Sequence, residues 1–352
     1  MRHHARLIAA VVAAVLLVAP GSGATPVENQ MAAARGADRL LQIQTANGAF
    51  PFQVSPIPTI FENVQGITAL GLIEAFKVSA DTRFLAGATR TRNWLGSYIA
   101  GGPCQAPGDS PPCRIAAPSV YFLTQHALLT GRVADFALAR AALQEQLNRF
   151  GTGASLVNGI ISDRKNNQGL GNLGLWDVAM FIRAAQDLGN TTLADQMVQQ
   201  LALQSIANPH NSNATYYELG LAGFILGLSE ADLAGRMPLW RNAADELIAL
   251  QAPNGSWPVT FFGDVYGDDT QTTAYAVLAL AAVAQILPVQ TGADFLRSVQ
   301  RANGSFAPYL PDDPADLEYG EVNAEAIQAL VAATLLVPNG AVAYADAAFA
   351  AL

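Results

Sequence analysis

The chain has 352 residues, of which 51% are hydrophobic and 13% are charged, and its formal net charge is −9 at pH 7. Acidic residues outnumber basic ones and no basic stripe occurs, so nucleic acids and anionic membranes are poor candidate partners. The apolar content is sufficient for a large core, and no linker or low-complexity segment divides the chain. We therefore expect a single domain.

Residues 1–24 have the pattern of an export signal. Residues 1–6 form a segment with basic character, residues 7–19 form an apolar run, and the small residues that follow suit a signal peptidase. The run is too short to span a membrane, although an uncleaved N-terminal anchor is the alternative interpretation. We expect cleavage, a mature domain of residues 25–352, a secreted or periplasmic location, and a monomer without membrane contact.

A short phrase occurs three times, at Gln44 to Phe50, Gln251 to Trp257 and Gln300 to Phe306. Each copy follows a helix-forming segment, and the central Asn-Gly is typical of a helix end because both residues accept a left-handed conformation. We expect the Gln to bond the last carbonyls of its own helix or free amides of a neighbouring one. The aromatic residue should fill the gap between two helix layers. A spacing of about 50 residues predicts stacked two-helix units.

The intervening repeats lack the phrase but keep its geometry. Segments that resemble helix ends lie at 99–103, 148–153 and 206–209. Between the helix ends lie six apolar segments rich in Ala and Gly, as expected of helices buried on both sides. These helices should begin near Glu62, Pro118, Gly174, Thr215, Asp269 and Glu321. Six such hairpins predict an all-α fold, an (α/α)6 toroid, with a small β-hairpin around residues 258–262.

The repeated Q-x-x-N-G-x-[FW] phrase, followed by the run from Asp268 through Gln271 into an apolar helix, resembles a known superfamily. It is similar to the terpenoid cyclase and protein prenyltransferase α/α-toroids, including the Gln-Trp repeats of squalene and hopene cyclases. The resemblance is one of sequence pattern, and it extends over nearly all of residues 25–352. It implies the toroid fold, but the superfamily is functionally broad, so it does not imply one activity.

In toroids of this class, ligands enter at the end where the inner helices begin, which we call the mouth. The predicted catalytic residues there are Asp269, Glu321, Asp177 and Glu218. The predicted substrate-binding residues are Glu62, Tyr121, Trp176, Tyr216, Tyr217, Asp268, Gln271, Tyr319 and Asn323. Carboxylates and aromatic rings around a concave mouth are typical of polyol binding and acid/base hydrolysis. The same residue types are preferred helix caps, so a purely capping role is the alternative for about half of them.

No cofactor is predicted, although Asp264, Asp268 and Asp269 form an acidic cluster that could coordinate Ca²⁺. Zinc is not expected, because neither cysteine lies in a context that matches the zinc site of the prenyltransferases. Cys104 and Cys113 lie close together in a turn-rich stretch. In an exported chain with two cysteines, they are expected to form one disulfide.

Three functions remain open from the sequence. The first is a secreted carbohydrate-active hydrolase or lyase that uses the mouth carboxylates. A lyase acting on uronates would require a cation near the mouth, for which Arg114, Arg164 and Lys165 are the candidates. The second is a non-catalytic toroid that binds a glycan, another small molecule or a protein. The third is an isoprenoid-processing enzyme with an atypical acid, because the nearest match to the Asp-x-Asp-Asp motif of class II terpene cyclases has the wrong spacing.

Overall fold

A computed structural model describes residues 26–54, 58–100, 115–168, 170–206, 215–229, 237–261, 263–311 and 317–336. The predicted export signal, Cys104 and Cys113 lie outside the described residues. Within them the chain forms thirteen α-helices and one two-stranded hairpin. In chain order the helices are α1 (Pro26–Ile43), α2 (Gln65–Ser79), α3 (Thr82–Ala100), α4 (Ala117–Thr130), α5 (Val133–Phe150), α6 (Ala154–Gln168), α7 (Gly171–Asp187), α8 (Thr191–Leu201), α9 (Tyr217–Ser229), α10 (Met237–Ala249), α11 (Thr270–Ala282), α12 (Ile286–Ser298) and α13 (Gly320–Leu336).

Six of these helices form a closed inner ring in the order α2, α4, α7, α9, α11 and α13, and α13 packs against α2. Most residues of each inner helix are buried, as expected of helices enclosed on both sides. Their starts lie within four residues of the six predicted positions. The predicted (α/α)6 toroid is therefore confirmed.

The outer ring consists of α1, α3, α5, α8, α10 and α12, each of which precedes or follows its inner partner in the chain. The thirteenth helix, α6, was not expected, because the sequence predicted only a helix end and a turn near residues 148–153. It occupies the connection from α5 to α7 and packs closely against α7. This connection leads from an outer to an inner helix, so α6 belongs to the mouth side of the toroid.

The glutamine of the repeated phrase bonds differently from the prediction. Gln251 Nε2 donates to the carbonyl oxygens of Gly255 and Pro288, both at 3.0 Å, and to Thr291 Oγ1 at 2.8 Å. Its side-chain amide therefore links the Asn-Gly turn to the following outer helix through hydrogen bonds that it donates, and not through bonds accepted from free backbone N–H groups. Gln300 donates to Ala32 O at 2.8 Å, which links the last described repeat to α1 and supports ring closure.

The glycine and the aromatic residue of the phrase have clear steric roles. Gly255 has φ 91°, and a Cβ atom there would lie 2.2 Å from the carbonyl oxygen of Thr291. Trp257 is fully buried, and its indole Nε1 donates to Leu247 O at 2.7 Å. Its backbone N donates to Thr273 Oγ1 of the next inner helix at 2.9 Å. The aromatic residue thus fills the space between the two layers, as predicted.

A β-hairpin lies in the connection from α10 to α11, and we call it the mouth hairpin. Its strands β1 (Trp257–Phe261) and β2 (Asp264–Asp269) are antiparallel, with an irregularity between Pro258 and Val259. The hairpin leads directly into the first residue of α11. Among the described helices, none is long and apolar enough to cross a membrane.

Candidate functional site

The mouth contains an ion pair that joins the additional helix to the inner ring. Arg164 Nε, from α6, lies 2.6 Å from Asp177 Oδ2, in the second turn of α7. Both side chains are largely buried. The charge of Asp177 raises the pKa of the Arg164 guanidinium, and the more distant Glu321 adds to this effect. Arg164 therefore lies close enough to interact electrostatically with carboxyl groups on two inner helices.

Glu321 lies in the first turn of α13 and is partly exposed. Burial raises the pKa of its carboxyl group to about 7, while Arg164 and the amide of Gln271 act in the opposite direction. A carboxyl group with such a pKa is partly protonated at neutral pH and suits proton transfer. Glu321 is thus the predicted catalytic residue whose environment best fits an acid.

Glu325 lies one helical turn below Glu321 and was not singled out from the sequence. It is fully buried, and its Oε1 accepts a hydrogen bond from Tyr275 Oη at 2.5 Å. Burial, and then the nearby Glu321, raise its pKa well above the ordinary value. The signal that could have found it is the i, i+4 spacing from Glu321, which places both side chains on one face of α13.

Asp269 is the N-cap of α11. Its Oδ1 accepts from the backbone N of Thr272 at 2.6 Å, and its side chain is buried. Burial raises the pKa of this carboxyl group to about 6, while the hydrogen bonds from Thr272 lower it. The capping role that the sequence left open is therefore present in the structure.

Glu218 holds the mouth hairpin against α9. Its two carboxylate oxygens accept from Thr260 N at 3.1 Å and from Thr260 Oγ1 at 2.6 Å. Burial raises the pKa of Glu218, and these hydrogen bonds to Thr260 lower it. Both oxygens are thus engaged with β1, an arrangement that positions the hairpin.

Trp176 and Tyr216 belong to the same end of the ring. The Trp176 indole packs edge-on against Tyr275, with ring centroids 4.2 Å apart. Tyr216 precedes α9 and packs against Phe261 of the mouth hairpin at 4.6 Å. Burial, followed by the charge of Asp269, raises the pKa of the Tyr216 hydroxyl, so this tyrosine is neutral.

Three predicted binding residues form hydrogen bonds to an outer helix or to the Asn-Gly turns and not to the predicted catalytic carboxyl groups of the mouth. The hydroxyl of Tyr217 donates to Glu246 of the outer helix α10. Asp268 accepts from Asn254 Nδ2 at 2.7 Å in the Asn-Gly turn. Asn323 is fully buried. Its Oδ1 accepts a hydrogen bond at 2.8 Å from the backbone N of Phe306, which is the aromatic residue of the third phrase.

The remaining predicted residues lie on the α2, α4 and α13 side. Glu62 is buried, its Oε2 accepts from Ala116 N at 3.0 Å, and burial raises its pKa to about 8. The ring of Tyr121 is covered by the guanidinium of Arg183, 4.9 Å from the ring centroid. Tyr319 is half-buried and packs against Phe52, with ring centroids 5.2 Å apart.

The acidic cluster considered for Ca²⁺ does not converge on one point. Asp264 is exposed at the start of β2, Asp268 bonds the Asn-Gly turn, and Asp269 caps α11. Among the described residues, no group of three or more His, Cys, Asp or Glu side chains is arranged to hold a metal ion.

No protein-family model matches the sequence, and no curated protein matches it. Solved structures do resemble it. An unsaturated glucuronyl hydrolase specific for heparin has a TM-score of 0.62 and 12% identity, with 88% of this chain and 96% of that chain covered. An inactive variant of an α-1,6-mannanase from Salegentibacter sp. HEL1_6, in complex with α-1,6-mannotriose, has a TM-score of 0.59 and 11% identity over 88% and 100% of the two chains.

A type II terpene cyclase from Scytonema is similar to the same degree, with a TM-score of 0.58 and 14% identity over 89% and 99% of the two chains. At such identities the likeness concerns the fold and not the activity. The resemblance to the α/α-toroids that the repeated phrase indicated is confirmed at the level of fold.

Proposed function

We propose that the protein is a glycoside hydrolase that acts at the mouth of the toroid, with Glu321 as the proton donor and Asp177 as the base. The observation that carries the proposal is the position of these two carboxyl groups. They belong to α13 and α7, which are separated by two helices on either side of the ring; Arg164 bonds Asp177 directly, and its charge lowers the pKa of Glu321. The other two predicted catalytic carboxyl groups accept from the backbone N atoms of Thr272 and Thr260, at the start of α11 and in the mouth hairpin, whereas Asp177 accepts from a side chain.

The reaction follows from the two environments. Glu321 transfers its proton to the glycosidic oxygen as the bond from that oxygen to the anomeric carbon breaks. A water molecule adds its oxygen to the anomeric carbon and gives a proton to the Asp177 carboxylate. Exchange with solvent then returns a proton to Glu321 and removes one from Asp177. A protonated acid and a charged carboxylate in one site are the pair that glycoside hydrolysis requires.

Two further observations support a glycan as the substrate. Aromatic rings lie at the same end of the inner ring, with Tyr216 just before α9 and Tyr319 just before α13, and an aromatic face with a polar edge suits a sugar ring. The fold is shared with a glucuronyl hydrolase and with a mannanase whose structure contains mannotriose. A secreted or periplasmic location, as the sequence predicts, would bring the protein into contact with extracellular glycans.

The proposal is tested by incubating the protein with a panel of neutral and uronic-acid polysaccharides and measuring reducing ends. The variants Asp177→Asn and Glu321→Gln should each lower turnover by about 10²- to 10⁴-fold, the usual contribution of an acid or base. The matched controls are Asp195→Asn, on the exposed face of α8, and Glu74→Gln, near the opposite end of the inner ring. Both controls should keep wild-type turnover.

Other outcomes separate the alternatives. Binding of a glycan without any cleavage would contradict the hydrolase proposal and support a non-catalytic glycan-binding toroid. An unsaturated product that absorbs ultraviolet light would identify a lyase instead. Inactivity on every glycan, together with conversion of an isoprenoid substrate, would overturn the glycan assignment altogether.

A further inference from the structure

A row of aromatic rings leads from the mouth along the mouth hairpin. The ring of Tyr216 packs edge-on against Phe261, with centroids 4.6 Å apart and an interplanar angle of 65°. Phe261 in turn contacts Tyr266 of β2, with centroids 6.3 Å apart and an angle of 81°. The row therefore begins beside the carboxyl groups and continues outward over two further rings.

The outer end of this row is open to solvent. The residue Tyr266 is 54% exposed, and Tyr309, in the adjoining segment, is 50% exposed. Tyr309 forms an antiparallel bridge with Asp269, and Leu310 N donates to Asp268 O at 3.2 Å, so this segment extends the hairpin. Exposed aromatic residues grouped beside a polar site mark a binding surface more often than isolated ones do.

The inner end of the row is held rigidly, at the expense of backbone strain. Tyr216 has φ 54°, a left-handed conformation that a bulky residue rarely adopts. Its backbone N donates to Thr260 O at 2.6 Å, and Glu218 fixes Thr260 from the other side. Strained residues that the surrounding structure fixes in this way occur mainly at functional sites.

We propose that Tyr216, Phe261, Tyr266 and Tyr309 form a platform that binds a glycan chain outside the mouth, so that the ligand is a polymer of several sugar units. The chemical class of the ligand rests on the proposed function. A sugar ring offers apolar C–H faces and hydroxyl edges, which suit aromatic rings and the neighbouring Asp264 and Asp268. The net charge of −9 opposes an anionic lipid surface as the occupant.

The platform is tested by measuring affinity for a ladder of oligosaccharides from the glycan that the panel identifies. The measurements use the Glu321→Gln background, in which slowed cleavage leaves the oligosaccharides intact during a short titration. The affinity should rise with chain length. Tyr266→Ala and Tyr309→Ala should each weaken binding of the long members by about tenfold, equivalent to roughly 1.4 kcal/mol, and leave the shortest member unchanged.

The matched control is Val265→Ala. Val265 is 64% exposed and precedes Tyr266 in β2, so its side chain points to the opposite face of the strand. The Val265→Ala variant should bind every oligosaccharide of the ladder with the same affinity as the chain that carries Val265. Melting temperatures of all variants establish that the fold is retained.

The outcomes of this experiment separate the platform from the hydrolase proposal. Affinity that does not depend on chain length, or an equal loss for short and long members, would overturn the platform even if hydrolysis is observed. Length-dependent binding that requires the two tyrosines, without any cleavage by the wild type, would support the platform and contradict hydrolysis. Tyrosine variants that lose binding to lipid vesicles or to another protein, but not to glycans, would assign the surface to a different occupant.

Discussion

Arg164 and Asp177 form a short ion pair of 2.6 Å between the additional helix α6 and the inner helix α7. Helix α6 occupies the connection from the outer helix α5 to the inner helix α7, whereas the connection from α10 to α11 contains the mouth hairpin. Helix α6 therefore places the guanidinium of Arg164 in a mouth that is rich in carboxyl groups. The pair therefore has an electrostatic consequence for Glu321 as well as a structural one.

Replacing Arg164 by Gln should raise the pKa of Glu321 further above its present value of about 7, because Arg164 lowers it. A change of about one unit is expected for the loss of a nearby opposite charge. The basic limb of the pH–activity profile should therefore move to higher pH by the same amount. Arg164→Lys keeps the charge and should leave the limb in place. A limb that does not move in Arg164→Gln would show that Glu321 is not the group whose ionisation limits activity.

His126 should make the protein less stable in acid. This fully buried histidine of α4 lies 3.2 Å from Asp135, and burial lowers its pKa to about 4, with Arg92 and Arg132 acting in the same direction and Asp135 against them. Because the folded pKa is below the unfolded value, the unfolded chain takes up the proton first as the pH falls. The free energy of unfolding should decrease by about 3 kcal/mol between pH 6.5 and pH 4, and level off below.

This contribution is measured by chemical denaturation across that pH range. His126→Asn should flatten the slope, whatever its effect on stability at neutral pH. Arg92→Gln removes one cation that disfavours the imidazolium and should reduce the slope without abolishing it. An unchanged slope in His126→Asn would assign the acid sensitivity to other groups.

The raised pKa of Glu62 predicts that stability falls as the pH rises, which is the opposite of the trend expected for His126. Burial favours its neutral form up to about pH 8, while Ser119 and the backbone of Ala116 favour the charged form. Between the ordinary carboxyl pKa and about 8, the folded chain keeps a proton that the unfolded chain has released, so stability falls as the pH rises. Glu62→Gln mimics the neutral acid and should remove this loss, and Glu74→Gln, on α2, should not.

The sequence was sufficient to predict the toroid because its signals are local and repeated. The Asn-Gly turns stop helices by backbone conformation, and the six apolar segments cannot be stable unless they are enclosed. Helix α6 was missed because residues 154–168 are weakly amphipathic and stand where another repeat has a loop. The bonding of Gln251 was predicted incorrectly because its acceptor, Pro288, belongs to a helix that only the assembled ring brings near.

The site was predictable as a region but not as a set of side-chain directions. Tyr216 and Tyr217 are adjacent in the sequence, yet the first contacts the mouth hairpin and the second bonds Glu246 on the outer layer. The left-handed backbone at Tyr216 produces this divergence, and no composition signal reveals it. Glu325 was not predicted because it lies one turn inside α13, whereas the predicted site residues cluster at the helix starts.

The repeated phrase allows a matched test of steric fit at its glycine. Gly255 and Gly189 both have positive φ, 91° and 80°, but only at Gly255 would a Cβ atom meet a neighbour, the Thr291 carbonyl oxygen. Gly189→Ala should cost about 1–2 kcal/mol of stability for the left-handed backbone alone. Gly255→Ala should cost clearly more, because the outer helix α12 must also shift. Equal losses in denaturation experiments would show that the contact between the turn and α12 is not tight.

The Asp269→Asn variant separates a capping role from a catalytic role. Its Oδ1 accepts from Thr272 N, and an asparagine can accept the same bond, so Asp269→Asn should change stability by less than about 1 kcal/mol. We expect turnover to fall only severalfold, because this carboxyl group is engaged with the backbone N of Thr272 at the start of α11. A loss as large as that of Glu321→Gln, with an unchanged melting temperature, would contradict this expectation and support the catalytic role that the sequence suggested.

Glu218→Gln provides the comparison for Asp269→Asn. A glutamine can accept from Thr260 N and donate to Thr260 Oγ1, but the Thr260 hydroxyl then loses the acceptor of its own proton. An unsatisfied buried donor costs about 1–3 kcal/mol, so this variant should be measurably less stable. Because Glu218 holds the mouth hairpin, it should also lose affinity for long oligosaccharides more than for short ones. Equal affinity for all chain lengths in this variant would show that the hairpin keeps its position without Glu218.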